Sequence, residues 1–292
     1  MNDIMRIIVK MITAVTRTAL KFPAHRKLSH LRNPNPADAA KLANAIQDTL
    51  NNDLSPEEKQ WIDKIGQLKK ALGHSAVQIS IRDYGTGGRH DKRTAGEMEN
   101  GVLITKKVRQ VCHENQPYFW SLLLFKIIRE FKPSIGIELG TSLGISGAYQ
   151  ASAQKLNKKG RFITLEGAES LASIARRNFQ SLALDNAHVV TGRFQDTLPG
   201  VLKEQGPIDY AFIDGHHDEG ATTAYFEQML PHLSKKSVVI LDDISWTAGM
   251  RRAWKKIKEN ERVKIALDLK MIGICVLDET VEEKYEFRIP LV

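Results

Sequence analysis

Strands and helices alternate along the C-terminal half of this chain, and this alternation restricts the fold more than any other feature. Apolar segments such as 238–241 recur at regular intervals, each next to a stretch with helical periodicity. Strands that are apolar throughout are typical of a parallel sheet covered by helices on both faces. The pattern therefore predicts a doubly wound α/β fold with a mostly parallel sheet.

The predicted elements can be given by residue number. The strands are 134–139, 161–166, 187–191, 208–214, 236–241, 262–268 and 271–278. The helices are 37–50, 56–72, 118–131, 144–157, 168–183, 196–204, 219–230 and 247–260. About two residues join the final two strands, too few for a parallel crossover. We therefore expect a seven-stranded sheet whose last strand is antiparallel.

Length and cysteine content exclude several classes of protein. The 292 residues suffice for a sizeable core. Cys112 and Cys275 lie far apart without a C-x-x-C pair, which indicates neither a disulfide framework nor a zinc site. No run reaches the roughly 18 apolar residues of a membrane span. The N-terminus also lacks the pattern of a secretory signal. We expect a cytoplasmic protein.

The positive charge is concentrated at the N-terminus. The net charge is +8, of which residues 1–32 carry +6. The rest of the chain is nearly neutral and offers no basic face for phosphate contacts. We therefore expect no nucleic-acid partner.

The basic N-terminal segment has its own pattern. Apolar residues of 4–22 recur at helical spacing with basic residues between them, which predicts a basic amphipathic helix. It can dock on its own protein or on a second copy in a homodimer, lie on an anionic membrane surface, or form a loosely ordered tail. The Asn-Pro repeat at 33–36 marks a boundary. We expect an extension over 1–32, a helical and loop cap on the substrate side over 33–130, and an α/β domain over 131–292.

A glycine-rich, charged segment spans residues 83–93. It is too polar to be core. It is either a flexible loop or a lid that carries Arg89 and Arg93 toward a ligand carboxylate.

The turn after the first strand of the α/β domain points to a nucleoside site. Glu138 ends the strand, and Gly140 and Gly144 follow before a helix begins. The glycines do not have the G-x-G-x-x-G spacing of a dinucleotide loop, which holds a pyrophosphate. An acidic residue in such a turn suits a ligand with a positive centre and no phosphate, such as S-adenosylmethionine. The alternative is an ordinary strand-turn-helix.

Polar residues follow each of five successive predicted strands. In an open α/β sheet, ligands bind beyond these carboxyl ends. A single acid there means little, because Asp is a common helix N-cap. Five strands ending this way predict one site. The residues concerned are Glu138 and Gly140, Glu166 and Gly167, residues 191–196, residues 214–217, and Asp242 with Asp243.

On these residues the chain resembles the class I S-adenosylmethionine-dependent methyltransferases, within them the catechol O-methyltransferase-like, divalent-metal-dependent branch. The resemblance covers residues 130–278 and extends upstream to residue 80 in an uncharacterised bacterial group. It identifies 131–292 as a Rossmann-like methyltransferase domain that binds S-adenosylmethionine.

The resemblance also implies roles for individual residues. Those implied for the methionine end of the cofactor are Glu138, Gly140, Ser142, Gly144 and Ser146, and Asp214 is implied to contact the cofactor as well. Glu166 and Gly167 would hold the ribose, and Phe194 and Gln195 the adenine. The implied metal ligands are Asp214, Asp242 and Asp243.

Two positions depart from the family pattern. His217 stands where the family has a catalytic lysine, and a neutral imidazole can accept a hydroxyl proton at neutral pH. The alternative is that His216 and His217 are a loop or helix-cap pair. Asp243 stands where the family has Asn. Three carboxylates would suit Mg²⁺ or Ca²⁺, or Asp243 caps the next helix. Trp246 either walls the pocket or is core.

The sequence therefore predicts O-methylation of a small molecule, with His217 and Asp214 as catalytic residues and with Mg²⁺ or another divalent cation assisting. Methylation of RNA or protein is an alternative, although no Asn/Asp-Pro-Pro-aromatic segment follows the fourth strand. A non-catalytic cofactor-binding protein and an iron oxygenase on the same fold are further alternatives.

Overall fold

A computed structural model of the chain describes residues 28–31, 36–88 and 91–291. The strands are β1 (Gln78–Asp83), β2 (Gly87–Gly88), β3 (Asp91–Lys92), β4 (Val102–Lys107), β5 (Ile135–Leu139), β6 (Arg161–Glu166), β7 (Ala187–Thr191), β8 (Ile208–Ile213), β9 (Leu233–Leu241), β10 (Val263–Asp268), β11 (Gly273–Asp278) and β12 (Tyr285–Arg288). The α-helices are α1 (Ala37–Asn51), α2 (Pro56–His74), α3 (Ala95–Asn100), α4 (Val108–Glu114), α5 (Tyr118–Phe131), α6 (Ile145–Leu156), α7 (Glu169–Ser181), α8 (Phe194–Gln205), α9 (Glu219–Met229) and α10 (Ala248–Lys258).

Eight strands form the main sheet, in the order β12-β10-β11-β9-β8-β5-β6-β7. Strands β5 to β9 pair in parallel. The chain fills the sheet outward from β5 through β6 to β7, then returns to place β8 on the other side of β5. Between β5 and β8 the winding direction reverses, and at such a point the carboxyl ends of the strands leave a crevice for a ligand.

The predicted doubly wound architecture is confirmed, with one strand more than expected. β11 is antiparallel to both β10 and β9, as the short connection required. The expected total of seven strands is wrong, because β12 adds an eighth in parallel register with β10. This strand has four residues that alternate aromatic and charged side chains, so no continuous apolar run marks it.

The sheet separates two apolar cores. Successive side chains of a strand point to opposite faces. Tyr210 and Phe212 of β8 therefore pack in one core with residues of α1, α5 and α6. Ala211 and Ile213 pack in the other core with residues of α8, α9 and α10. Side chains from the N-terminal helices thus share a core with the sheet.

The region before β5 contains more than the predicted helices and loops. α2 starts as expected, with the Ser55 hydroxyl capping the amide of Glu58 and Pro56 in the first helical position. An antiparallel pair, β1 with β4, was not predicted. The expected basic helix at 4–22 and Arg89 lie outside the described residues. Within the described residues, no helix has both the length and the apolar character needed to cross a membrane.

Candidate active site

A cleft of about 350 Å³ opens at the carboxyl ends of β5, β6, β8 and β9, under the pair β1 and β4. It brings together most of the residues predicted from the sequence. Those that line it are Gly140, Ser142, Ser146, Glu166, Gly167, Phe194, Asp214, His217, Asp242 and Asp243. Glu138, Gly144 and Gln195 are not among the lining residues.

The glycine turn after β5 is in contact with the end of β8. Gly140 has φ of 107°, and a Cβ built on it would lie 2.0 Å from the main-chain oxygen of Asp214. The Asp214 amide in turn donates to the main-chain oxygen of Leu139. A side chain at residue 140 is therefore excluded twice, by backbone conformation and by space. This contact sets Asp214 beside the turn.

Glu138 lies behind the turn, fully buried. One carboxylate oxygen accepts hydrogen bonds from Ser146 Oγ and Gln150 Nε2, both at 2.7 Å. The other accepts from Thr164 Oγ1 at 2.7 Å. Burial raises the pKa of Glu138 to about 7, against the opposing effect of these hydrogen bonds. Glu138 thus ties β5 to α6 and β6, and a direct role in holding a cofactor stays a prediction.

Gly144 serves the packing of two helices. It is the N-cap residue of α6 with φ of 78°. A Cβ there would approach the Phe179 ring to 3.0 Å and Ala175 to 3.1 Å. α6 can therefore start close against α7 only if residue 144 has no side chain.

Glu166 ends β6 and faces the cleft. Its Oε2 accepts from the Ser142 amide at 2.7 Å, and its Oε1 accepts from the Ala168 amide at 2.9 Å. Burial raises the pKa of Glu166 to about 7, although these backbone donors favour the ionised form. Each carboxylate oxygen has two acceptor positions, so both keep capacity for ligand hydroxyls.

Tyr84 lines the cleft beside the end of β6. Its ring lies against Gly167, so closely that a Cβ on that glycine would lie 2.8 Å from Tyr84 Cδ2. Tyr84 belongs to the glycine-rich segment that follows β1, where the amide of Thr86 also donates to the main-chain oxygen of His216 at 3.3 Å. The segment is therefore attached to the strand ends rather than standing apart from them.

Arg93 holds this segment in shape. Its guanidinium donates to the main-chain oxygens of Asp83 and Gly85, at 3.0 and 2.9 Å, and to the Asp83 carboxylate at 2.8 Å. Burial would raise the pKa of Asp83, but the hydrogen bonds from Arg93 and the Gly85 amide outweigh it and lower that pKa. Arg93 thus binds its own loop, and the predicted role of reaching for a ligand carboxylate is wrong for this arrangement.

The two histidines after β8 have different surroundings. His216 is packed between aromatic rings, with its Nδ1 3.0 Å from Tyr225 Oη and its ring centroid 5.7 Å from that of Phe194. Burial lowers the pKa of His216. Gln195 also lies on this side, lining a separate depression of about 190 Å³ with His216 and Tyr225. Both His216 and His217 line the main cleft.

An acidic cluster occupies the other half of the cleft. The carboxyl groups of Asp214, Asp242 and Asp243 lie close enough for their negative charges to interact. Burial, with negative neighbours, raises the pKa of Asp214 to about 7 and that of Asp242 well above its usual range.

His217 and Asp243 complete this cluster. His217 Nε2 lies 3.7 Å from Asp214 Oδ1, and its Nδ1 lies 4.0 Å from Asp243 Oδ2. The alternative that Asp243 caps the following helix is wrong, because Thr247 is the N-cap of α10. Among the residues that the structure describes, no three His, Cys, Asp or Glu side chains are grouped so as to hold a metal ion.

The sequence is similar to known methyltransferases over this part of the chain. Residues 137–244 match a family described as "Methyltransferase domain". The catechol O-methyltransferase of Niastella koreensis is 38% identical over 109 residues, 37% of this chain and 47% of that protein. Residues 137–244 are thus similar to a methyltransferase domain, and 109 residues are similar to a catechol O-methyltransferase, as the sequence resemblance implies.

A second relative extends the similarity beyond residues 137–244. The catechol O-methyltransferase of Mus musculus is 22% identical over 185 residues, 58% of this chain and 68% of that protein. The chain spans about half of the length of the Niastella protein.

Solved structures show the same fold. An O-methyltransferase from Bacillus cereus in complex with SAH has a TM-score of 0.53 at 21% identity, covering 78% of this chain and 94% of that one. The O-methyltransferase TomG from Streptomyces achromogenes, in complex with SAM, has a TM-score of 0.50 at 20% identity, covering 58% and 86%.

Several lining residues of the cleft were not predicted as site residues, among them Tyr84 and Gln116. Gln116 donates from Nε2 to Asp242 Oδ2. Tyr84 and Gln116 both lie in the region before β5, where the sequence shows no motif for them. The glycine-rich run around Tyr84 was the only local signal.

Proposed function

We propose that this chain is an S-adenosylmethionine-dependent methyltransferase that methylates a hydroxyl oxygen of a small molecule with the assistance of a divalent cation. One observation carries the proposal. The glycine turn suited to the cofactor and the cluster of Asp214, Asp242 and His217 share one cleft. The contact between Gly140 and the main chain of Asp214 joins the two.

The cofactor half of the cleft fits a nucleoside with a positive centre. Glu166 has acceptor capacity for the ribose hydroxyls, and the absence of side chains at Gly140 and Gly167 leaves room beside the strand ends. Phe194 and Tyr84 offer ring faces or edges for a purine. We assign the adenine end to Phe194, and the methionine end to Ser142, Ser146 and the Gly140 turn.

The acidic half fits a hard divalent cation such as Mg²⁺. The negative charges of Asp214, Asp242 and Asp243 lie close together, and a cation between them would relieve their repulsion. Asp214, Asp242 and Asp243 are the candidate ligands by their oxygen donors. When bound, S-adenosylmethionine supplies an electrophilic methyl group, and the cation lowers the pKa of a coordinated hydroxyl.

His217 is the proposed general base. It lines the cleft beside Asp214 and accepts the proton of the substrate hydroxyl on a ring nitrogen. The carboxylates of Asp214 and Asp243, 3.7 and 4.0 Å away, stabilise the imidazolium that results. Ile81 and Ile104, from β1 and β4, cover the cleft and limit access of water. Residues 33–130 are thus the proposed substrate-side cap.

Cofactor binding tests the central part of this proposal. Isothermal calorimetry of the full chain with S-adenosylmethionine should show saturable binding. Glu166→Ala should weaken binding by about 100-fold, since it removes two charge-assisted hydrogen-bond acceptors. Glu169→Ala is the matched control, because Glu169 is exposed on α7 and pairs with Arg176. Absence of binding by the unaltered chain would overturn the proposal.

Transfer of labelled methyl groups tests the reaction class. Catechols and simple phenols should be compared as acceptors, with Mg²⁺ and with a chelator. We expect transfer to catechols that the chelator abolishes. Full transfer in the presence of chelator would remove the metal from the proposal and leave the methyltransferase assignment intact.

A further inference from the structure

Arg193 joins the start of α8 to α3 of the substrate-side cap. It is the N-cap residue of α8, directly before Phe194, and it lines the cleft. Its Nη1 donates to the main-chain oxygen of Glu99 and to Glu99 Oε1, both at 3.0 Å. Its Nε and Nη2 donate to the Asp196 carboxylate at 2.6 and 3.0 Å. Arg193 therefore connects two segments that lie 94 residues apart in sequence.

α3 needs such a connection because it has little packing of its own. The helix is six residues long, and none of them is buried. Most of the stability of a protein helix comes from packing of an apolar face. A depression of about 190 Å³ lies between α3 and the end of β8, lined by Ala95 and Met98 on one side and by His216 and Tyr225 on the other. Polar contacts must therefore supply much of what holds α3 in place.

The C-terminal end of α3 contacts the Tyr84 ring. Gly101 is the C-cap residue of α3 with φ of 71°, and a Cβ built on it would lie 2.8 Å from Tyr84 Cε1. The opposite edge of the ring lies against Gly167, where a Cβ would lie 2.8 Å from Tyr84 Cδ2. The ring is thus held between the end of α3 and the end of β6. A shift of α3 would remove one of these two supports.

The contact between Arg193 and Glu99 is accessible to solvent. The side chain of Arg193 is 30% exposed and that of Glu99 is 64% exposed. An exposed ion pair contributes little to the stability of a fold and is screened by salt. The pair is therefore too weak to decide whether the chain folds. It is strong enough to favour one position of a small surface helix.

We infer that Arg193 is a positioning residue for the cofactor. Through Glu99 it keeps α3 beside the strand ends, and through α3 it keeps the Tyr84 ring in the wall of the cleft. This inference rests on the cofactor binding in the proposed function. It makes the rate at which S-adenosylmethionine leaves the cleft depend on a contact between the cap and the start of α8.

Surface plasmon resonance with the immobilised full chain tests the inference, since it gives the dissociation rate of S-adenosylmethionine. We expect Arg193→Gln to raise this rate about 10-fold, because it loses the ion pair and the hydrogen bond to the main-chain oxygen of Glu99. Glu99→Gln loses only the ion pair and should raise the rate about two- to fivefold. Neither change should have much effect when combined with Tyr84→Ala, which removes the ring that they position. Arg252→Gln is the matched control, because it removes an exposed ion pair with Glu219 between α9 and α10.

Salt provides a second readout that a purely structural role of Arg193 would not move. Added NaCl screens the ion pair in the unaltered chain, whereas Glu99→Gln has no ion pair to screen. The dissociation rates of the two chains should therefore differ at about 0.05 M NaCl and converge at about 0.5 M. Because Glu99 is exposed, Glu99→Gln should fold normally, and thermal unfolding checks this.

The outcomes separate the inference from the proposed function. If Glu99→Gln releases S-adenosylmethionine at the rate of the unaltered chain at both salt concentrations, Arg193 does not act through α3 and the inference is wrong. If the effects of Arg193→Gln and Tyr84→Ala add fully, Arg193 does not act through Tyr84, and the inference is wrong again. In both cases the proposed function stands. If the unaltered chain does not bind S-adenosylmethionine, the proposed function is wrong and the inference is wrong with it.

Discussion

The main-chain oxygen of Asp214 occupies the space that a side chain on Gly140 would need, since a Cβ there would lie 2.0 Å from it. The turn assigned to the cofactor and the strand end assigned to the chemistry are thus in direct van der Waals contact. A change in either backbone must move the other.

Gly140→Ala should therefore impair both stability and cofactor binding. The substitution combines a positive φ with a backbone clash, and we expect a loss of more than about 3 kcal/mol in the free energy of unfolding. Denaturant titration measures the loss, and calorimetry should show no binding of S-adenosylmethionine. Gly66→Ala is the control, because Gly66 lies within α2 with no atom near its missing Cβ. That change should stabilise by about 0.5–1 kcal/mol. If Gly140→Ala and Gly66→Ala had the same stability and the same affinity for S-adenosylmethionine, the close contact between Gly140 and the main chain of Asp214 would be contradicted.

His217→Ala should lower kcat by about 10²- to 10⁴-fold, the usual contribution of a general base. The affinity for S-adenosylmethionine should stay near that of the unaltered chain, because the imidazole faces the acidic cluster. Steady-state kinetics at a series of pH values gives kcat, and calorimetry gives the affinity for S-adenosylmethionine. The rate of the variant should also rise with hydroxide concentration where that of the unaltered chain levels off. Unchanged kcat would assign the proton transfer to another group. His74→Ala, at the exposed end of α2, is the control.

Tyr84→Ala should weaken binding of S-adenosylmethionine by about tenfold or more, because aromatic contact with a base contributes about 1–3 kcal/mol. Tyr84→Phe keeps the ring and should bind normally. Arg93→Ala should also weaken binding, since the guanidinium holds the loop that carries Tyr84. The double variant should lose less than the sum of the two single losses in binding free energy. Strict additivity would show that Arg93 does not act through Tyr84.

Glu138→Gln should flatten the dependence of stability on pH. The pKa of Glu138 is about 7 in the folded chain, raised by burial from a usual value of 4.5. Between these values the folded state keeps a proton that the unfolded state has lost, so stability falls as pH rises from 4.5 to 7. The difference in the free energy of unfolding between the unaltered chain and Glu138→Gln should change by about 3 kcal/mol between pH 4.5 and pH 7. Unfolding in urea at both ends of the interval measures it. The exposed change Glu169→Gln should leave the dependence of stability on pH unchanged. If Glu138→Gln showed the same dependence as the unaltered chain, Glu138 would not hold a proton in the folded state.

The sequence predicts site residues best where a polar residue directly follows an apolar strand. Asp214 and Glu166 were found because each follows an apolar strand, and parallel strands bring such ends to one edge. The number of strands was underestimated because β12 is short and alternating. Gln195 was predicted from a motif, yet its side chain lies in the neighbouring depression, since one step along the start of α8 turns it away from Phe194.

Gln116 and Tyr84 could not be predicted in this way. Each reaches the strand ends from a segment far away in sequence, and no spacing rule connects Gln116 with Asp242. Their positions depend on how α2, α5 and the pair β1 and β4 pack on the sheet. Such packing is a property of complementary surfaces rather than of periodicity.

The shared core has a consequence for engineering. Leu42, Ile46 and Ile62 of the substrate-side cap pack in the same apolar cluster as Phe162 and Tyr210 of the sheet. The cap is therefore not an interchangeable module. Grafting a relative's cap onto this sheet would require redesign of the buried boundary, so new acceptor preferences are better sought by replacing side chains on the inner face of β1 and β4.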